Sequence, residues 1–334
     1  MIDFPGLGLH FNINPVALQI GNIRIFWYGI IIAIGFMLAV FLSMKNSQKY
    51  GIDQENIIDL VLVAAPVAII FARLYYVVFQ WENYRNDLSE IYKIWHGGIA
   101  IYGAIIGALL AAYLFARYKK ISTLDLFDLC SPYLILAQGI GRWGNFVNQE
   151  AFGVNTTLPW GMTSEKIKDD LLDLQRSGMN VDPNLPVHPT FLYESLWNLA
   201  SFLVLIWFRK HRKVKGEVFF LYMILYGLGR FWVEGLRTDS LMLGNVRVSQ
   251  LLALVFAIAF CIVFFLRRKG AVDSKTEDET VIGTSAYGDV LRKLNEEQET
   301  IEPGTKDTSS DTANQGVTKA AESDDESVQH KQDE

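Results

Sequence analysis

Two short stretches of this chain set ionisable side chains in apolar surroundings. Residues 139–153 read G-I-G-R-W-G-N-F-V-N-Q-E-A-F-G and follow a nearly unbroken apolar run over 124–140. Arg142, Asn145, Asn148, Gln149 and Glu150 therefore fall where that run should surface. Tyr226, Arg230, Glu234 and Arg237 are spaced four, four and three apart, which on a helix makes one polar stripe. Charges at membrane depth are costly and mark functional candidates. An arginine brings a permanently charged planar fork that can grip two oxygens of an anion. Two readings stand side by side: a self-neutralising Arg–Glu–Arg ladder with polar residues wetting an interface, or a site for an anionic substrate. No His/Cys/acid cluster has metal-ligand spacing, and no Ser/His or paired-Asp arrangement suggests hydrolysis.

The elements that must hold these residues are membrane spans. A span takes roughly 20 mostly apolar residues. Seven segments qualify, at about 22–44, 57–81, 99–116, 124–140, 190–208, 218–236 and 248–266. Basic residues crowd alternate connections: Lys45 and Lys49; Arg117, Lys119 and Lys120; Arg209 to Lys215; Arg267 to Lys269. Such residues mark the cytoplasmic side, so the N-terminus and the 141–189 loop should face outward and the C-terminus inward. The sequence thus predicts an all-α polytopic membrane protein of about seven transmembrane helices over residues 1–269. An extracytoplasmic cap at 141–189 contains a helix-like polar segment near 164–177. The chain is 51% hydrophobic with mean hydropathy +0.20. Its net charge of −6 is a composite, because residues 271–334 alone hold seventeen acidic and six basic side chains. The apolar body is therefore basic, and residues 270–334 read as an acidic, disordered cytoplasmic tail, with a weak helix near 290–299.

Other polar residues divide into capping and site candidates. Asp53, Asp125 and Asp128 sit where helix starts need acids, and read as caps of their own helices. Arg73 lies about 12 Å below the outer end of the second span, so it must snorkel, pair or line a cavity. Gly97 and Gly98 break the backbone before the third span and open a backbone pocket, whereas Gly103 and Gly107 have helix-packing spacing. Glu194 reads as the buried partner of an arginine. Cys130 and Cys261 lie within spans as packing residues. Residues 1–21 have no basic n-region and no cleavage site, and are not read as a signal peptide.

The 141–153 pattern G-R-x-G-N-F-x-N-x-E-x-x-G fixes eight positions in thirteen residues. It resembles the signature of bacterial prolipoprotein diacylglyceryl transferases. Three further elements resemble that family: W-Y-G at Trp27 to Gly29, H-P-x-x-x-Y-E at His188 to Glu194, and G-R-x-x-x-E at Gly229 to Glu234. The resemblance runs over about residues 20–266. It implies transfer of the diacylglyceryl group of phosphatidylglycerol to the lipobox cysteine of a prelipoprotein signal peptide, at the outer face of the bacterial cytoplasmic membrane. It implies no cofactor, no metal and no nucleic acid. The leaving phosphate gains charge, which makes Arg142 and Arg230 the catalytic candidates, with Glu150 and Glu234 positioning them. Lipid-binding candidates are Arg142, Asn145, Tyr28, Gly98, Gly153, Tyr226, Glu234, Arg237 and His188. Many relatives carry a histidine where this chain has Tyr102. His96 lies six residues earlier, about 240° around a helix, and does not replace it. Tyr102 is therefore read as a hydrogen-bond donor to phosphate. The competing class is a lipid-binding protein or transporter without chemistry, which would also need intramembrane charges.

Overall fold

The structure, a computed structural model, describes residues 1–238, 242–243, 246–284 and 293–294. Met1–Ser274 forms one compact unit and Lys275–Glu334 a second. The described residues contain eight α-helices: α1 Trp27–Ser47, α2 Gln54–Phe79, α3 Ile101–Tyr118, α4 Thr123–Asn148, α5 Glu165–Arg176, α6 Thr190–Phe208, α7 Glu217–Glu234 and α8 Val248–Thr284. Seven of them occupy the seven apolar segments. Helices α1, α2, α3, α6 and α8 are long and apolar enough to cross a membrane. Helices α4 and α7 are long but carry Asp125, Asp128 and Arg142, and Glu217, Arg230 and Glu234, respectively.

Helix α4 is the hub, packed against α1, α6 and α7, while α2 pairs chiefly with α3. It starts where Ser122 Oγ accepts from the Asp125 N–H at 3.4 Å. Contrary to the expectation that the span stops near 140, it runs on to Asn148 and carries most of the polar motif on helical turns. It ends because Gln149 adopts φ +54°, letting the Gln149 and Glu150 N–H groups turn back onto the Phe146 and Asn145 carbonyls. Gly144 is required by close approach: a Cβ there would lie 2.7 Å from the Tyr28 ring of α1.

The cap contains strands that the helical pattern did not announce. Strand β1 (Ile2–Phe4) pairs antiparallel with β2 (Leu9–Phe11), and its other edge takes β5 (Thr163–Ser164), with Ile2 opposite both Phe11 and Ser164. A second hairpin joins β3 (Val16–Ile20) to β4 (Ile23–Phe26), and a third joins β6 (Met242–Leu243) to β7 (Val246–Arg247). Ile2, Phe4, Phe146, Phe152, Met162, Ile167, Leu171, Val187 and Phe191 form one buried cluster. This cluster welds the N-terminus and α5 to the ends of α4 and α6. Phe146 of the motif stacks on Phe191 at 4.6 Å. The polar segment near 164–177 is α5, with Ser164 Oγ accepting from the Ile167 N–H at 3.1 Å.

Several sequence readings change at the other end and flank of the bundle. Asp128 is fully buried and does not cap its own helix; it accepts from the Gly216 and Phe219 N–H groups at the start of α7, at 2.7 and 2.8 Å. Asp125 pairs with Arg212 and with Lys215 at 2.7 Å. Asp53 precedes α2 but its side chain makes no capping bond. Arg73 neither snorkels nor meets a carboxylate. Its five donors go to the backbone carbonyls of Glu90, Ile91, Lys93, Gly97 and Gly98. Helix α8 continues to Thr284, past the expected span end at Leu266. The tail residues 285–292 and 295–334, with most of the weak helix near 290–299, lie outside the described residues.

Candidate active site

Three helices bring charge to one point at the capped end of the bundle. Glu194, on the second turn of α6, is 6% exposed and serves as the hub. Arg142 Nη2 of α4 lies 2.6 Å from Glu194 Oε2. Arg230 Nη1 of α7 and Arg237 Nη1, just beyond α7, lie 3.7 and 3.9 Å from Glu194 Oε1. Arg230 also donates from Nη2 to Glu234 Oε2 at 2.6 Å, one turn along α7. Arg142, Glu194, Trp197, Asn198, Tyr226, Gly229, Arg230 and Val233 line a small pocket there. A buried carboxylate is tolerable only when paired, and here three guanidiniums converge on one such group.

The motif's amides extend this network. Arg142 Nη1 donates to Asn145 Oδ1 at 3.5 Å, and Asn145 Nδ2 donates to Glu150 Oε1 at 2.9 Å. Asn148 Nδ2 reaches the same oxygen at 3.5 Å. Glu150 therefore fixes the asparagines, and bears on Arg142 through Asn145. Glu234 does hold Arg230, as the stripe spacing predicted, and Glu194 is the arginine partner foreseen for it.

The remaining predicted residues spread around this centre. Gly153 lies in a backbone crossing: its N–H donates to the His188 carbonyl at 2.9 Å, and it bridges Arg237. His188 Nδ1 is 3.1 Å from the Tyr193 hydroxyl, which takes a bond from Trp160 Nε1 at 2.8 Å. Burial pushes the His188 imidazole below its ordinary pKa, favouring the neutral ring. Tyr28 lies on the opposite flank of α4. Together with Pro15, Ile25, Phe26, Gly29, Ile30, Ala33, Asn148 and Lys166 it lines an apolar groove of about 700 Å³. Gly98 (φ +78°) presents its carbonyl to Arg73, so the expected backbone pocket is filled by that side chain. Tyr102 is 59% exposed on the first turn of α3, with its ring 6.3 Å from Tyr75, and it is not among the residues lining the charged pocket.

The profile of the prolipoprotein diacylglyceryl transferases matches residues 15–266. The chain belongs to that family. A Listeria monocytogenes serotype 4b relative is 49% identical over 282 residues, covering 84% of this chain and 97% of that protein. One from Ligilactobacillus salivarius is 51% identical over 258 residues, 77% of this chain and 94% of its own. One from Limosilactobacillus reuteri is 47% identical over 263 residues, 78% of this chain and 94% of its own. All three carry the name phosphatidylglycerol–prolipoprotein diacylglyceryl transferase. As a member of this transferase family the chain is a multi-pass membrane protein. Its charged pocket also uses residues the sequence reading did not name, Trp197 and Asn198. The available signal was the i, i+4 pair Glu194 and Asn198 in an otherwise apolar helix.

Proposed function

We propose that this chain transfers the diacylglyceryl group of phosphatidylglycerol to the lipobox cysteine thiol of prelipoproteins. In this reaction the cysteine sulfur attacks a glycerol carbon and a C–S bond forms. The C–O bond to phosphorus breaks, its electron pair leaves on glycerol 1-phosphate, and the thiol proton passes to solvent. The observation that carries the reading is the convergence of Arg142, Arg230 and Arg237 on the single carboxylate of Glu194. A phosphate monoester with charge growing on its oxygens can compete with Glu194 for these guanidiniums. Fixed cations aimed at developing charge are a large catalytic term in a water-poor site. The same cations lower the pKa of an approaching thiol from about 8.5, raising its thiolate fraction.

In this reading Arg142 and Arg230 hold the phosphate, Asn145 and Tyr226 orient the headgroup, and Glu150 and Glu234 keep the amide and guanidinium donors aimed. Tyr102 donates a hydrogen bond near the lipid surface. Tyr28, Gly98, Gly153, His188 and Arg237 shape the rim through which lipid and peptide enter. Helices α4 and α7 complete seven crossings with the polar residues turned inward. The pocket faces the extracytoplasmic side of a bacterial cytoplasmic membrane and the C-terminus lies in the cytoplasm, as the basic connections require.

The test is incubation of the purified protein with phosphatidylglycerol and a lipobox peptide, followed by mass measurement. The peptide should gain one diacylglyceryl group, and glycerol 1-phosphate should appear in equal amount. A lipid-binding protein or transporter would leave the peptide mass unchanged, which would overturn the reading.

A further inference from the structure

A buried polar pair lies one helical turn beneath the charged pocket. On α4, Gln138 precedes Arg142 by four residues, about 6 Å along the axis and away from the cap. On α7, Tyr222 precedes Tyr226 by four, with the two rings 6.1 Å apart. Gln138 Nε2 donates to the Tyr222 hydroxyl at 3.0 Å, joining the two helices at this depth. Asn198, which lines the pocket, packs its Cβ near Gly139, the next residue of α4.

This pair is incompletely satisfied. Gln138 Oε1 is buried and has no hydrogen-bond partner among the described residues, and the Tyr222 ring is also buried. The shortfall does not depend on how the amide is turned. With Nε2 toward Tyr222, the phenol acts as acceptor and its own proton remains to be placed. With the amide reversed, the phenol donates to Oε1 and both Nε2 hydrogens remain. Either way a donor is left over in an apolar interior, where an unmet polar group costs free energy and points to a partner. A glycerophospholipid whose phosphate lies among the arginines above carries its ester carbonyls a few bonds further into the membrane, and these groups accept hydrogen bonds but cannot donate.

We infer that Gln138 and Tyr222 form a second recognition layer that donates a hydrogen bond to an ester carbonyl of the diacylglyceryl group. The pair thereby positions the glycerol carbon for attack and distinguishes acyl from alkyl lipids. This rests on the transferase reading above and names the lipid feature read one turn beneath that pocket.

The experiment compares diester phosphatidylglycerol with its diether analogue, which has the same phosphate headgroup and no ester carbonyl. Both are given to the full-length protein in detergent with a lipobox peptide. The unmodified protein should favour the diester by about tenfold in kcat/KM, the scale of one hydrogen bond. Gln138→Leu should lose that preference by slowing the diester alone, and Tyr222→Phe should do the same while removing a single oxygen. If Gln138→Leu does not fold, Tyr222→Phe carries the comparison. Equal use of both lipids by the unmodified protein would overturn the inference, as would variants that slow both lipids equally. The latter is the outcome if a water, or packing alone, occupies this layer. Absence of transfer from either lipid would instead overturn the transferase reading.

Discussion

Helices α4 and α7 carry a charge cluster at each end, and the two clusters are built differently. At the end away from the cap, Asp128 is enclosed by two backbone N–H groups at 2.7 and 2.8 Å and by Arg212 Nη1 at 3.3 Å. Asp125 is matched by Arg212 and Lys215. Both aspartates are met at short range by fixed groups, Asp128 largely by the main chain at the start of α7. At the capped end Glu194 draws three guanidiniums, one closely and two at 3.7 and 3.9 Å. A saturated cluster holds helices together. A cluster in which three guanidiniums share one carboxylate at unequal distances can exchange one partner for another, which is what binding an anion requires. Burial of charge alone does not separate structure from function; the geometry of its neutralisation does.

The sharpest break of this comparison comes from Arg142→Lys and Arg230→Lys. Both keep the charge and lose the fork, so turnover should fall on the order of 10²-fold with little change in unfolding temperature. Full activity in either would show that bidentate recognition is not used there. Asp128→Asn tests the other cluster. It should lower stability by about 1–3 kcal/mol in thermal or denaturant unfolding, because a buried acceptor site is lost. The turnover of protein that remains folded should not change. If activity fell without destabilisation, the two ends would not be separable as argued.

Much of this contrast was legible in the chain. The motif at 139–153 stands out because it interrupts apolar helix with residues that only a site or an interface would tolerate. The stripe spacing gave the Arg230–Glu234 pair, and Glu194 was recognisable as an arginine's partner. Asp128 was not legible. Near a helix start it reads as a local cap, yet the N–H groups it serves belong to Gly216 and Phe219, far along the sequence. The strands at the N-terminus escaped for the same reason. Ile2–Phe4 is three residues long and gains its place from pairing with Thr163–Ser164, a tertiary contact without a local pattern. Helix α4 outran its apolar stretch because the Gln149 turn, and not hydropathy, ends it.

Smaller effects sharpen the picture. Tyr102 stands outside the charged pocket, so Tyr102→Phe should slow transfer by about fivefold or less, the low end for one lost hydrogen bond. Tyr102→His should be tolerated. Complete loss of turnover in a folded Tyr102→Phe protein would place this residue in the chemistry. His188 should leave a pH signature in stability. Its folded-state pKa lies below the ordinary 6.5, so its contribution is fully present above that value and is lost as pH falls through the folded-state pKa. The unfolding temperature of His188→Gln should therefore decline less between pH 7 and pH 5 than that of the unmodified protein. Truncation after Lys269, beyond the matched residues 15–266, should leave turnover unchanged in protein that is folded and inserted.

The clamp made by Arg73 has a consequence for how this surface can vary. All five of its donors end on main-chain oxygens, spread over Glu90 to Gly98. A carbonyl is the same whatever side chain its residue bears, so most of that segment can exchange residues over generations without loosening its anchor. Arg73 itself has no such latitude, because a lysine offers three donors from one point and cannot span those carbonyls. Gly98 shares the constraint, since a Cβ there would lie 2.5 Å from the guanidinium. Drift along the segment is thus bought by immobility at two positions, one on α2 and one in the loop that α2 holds.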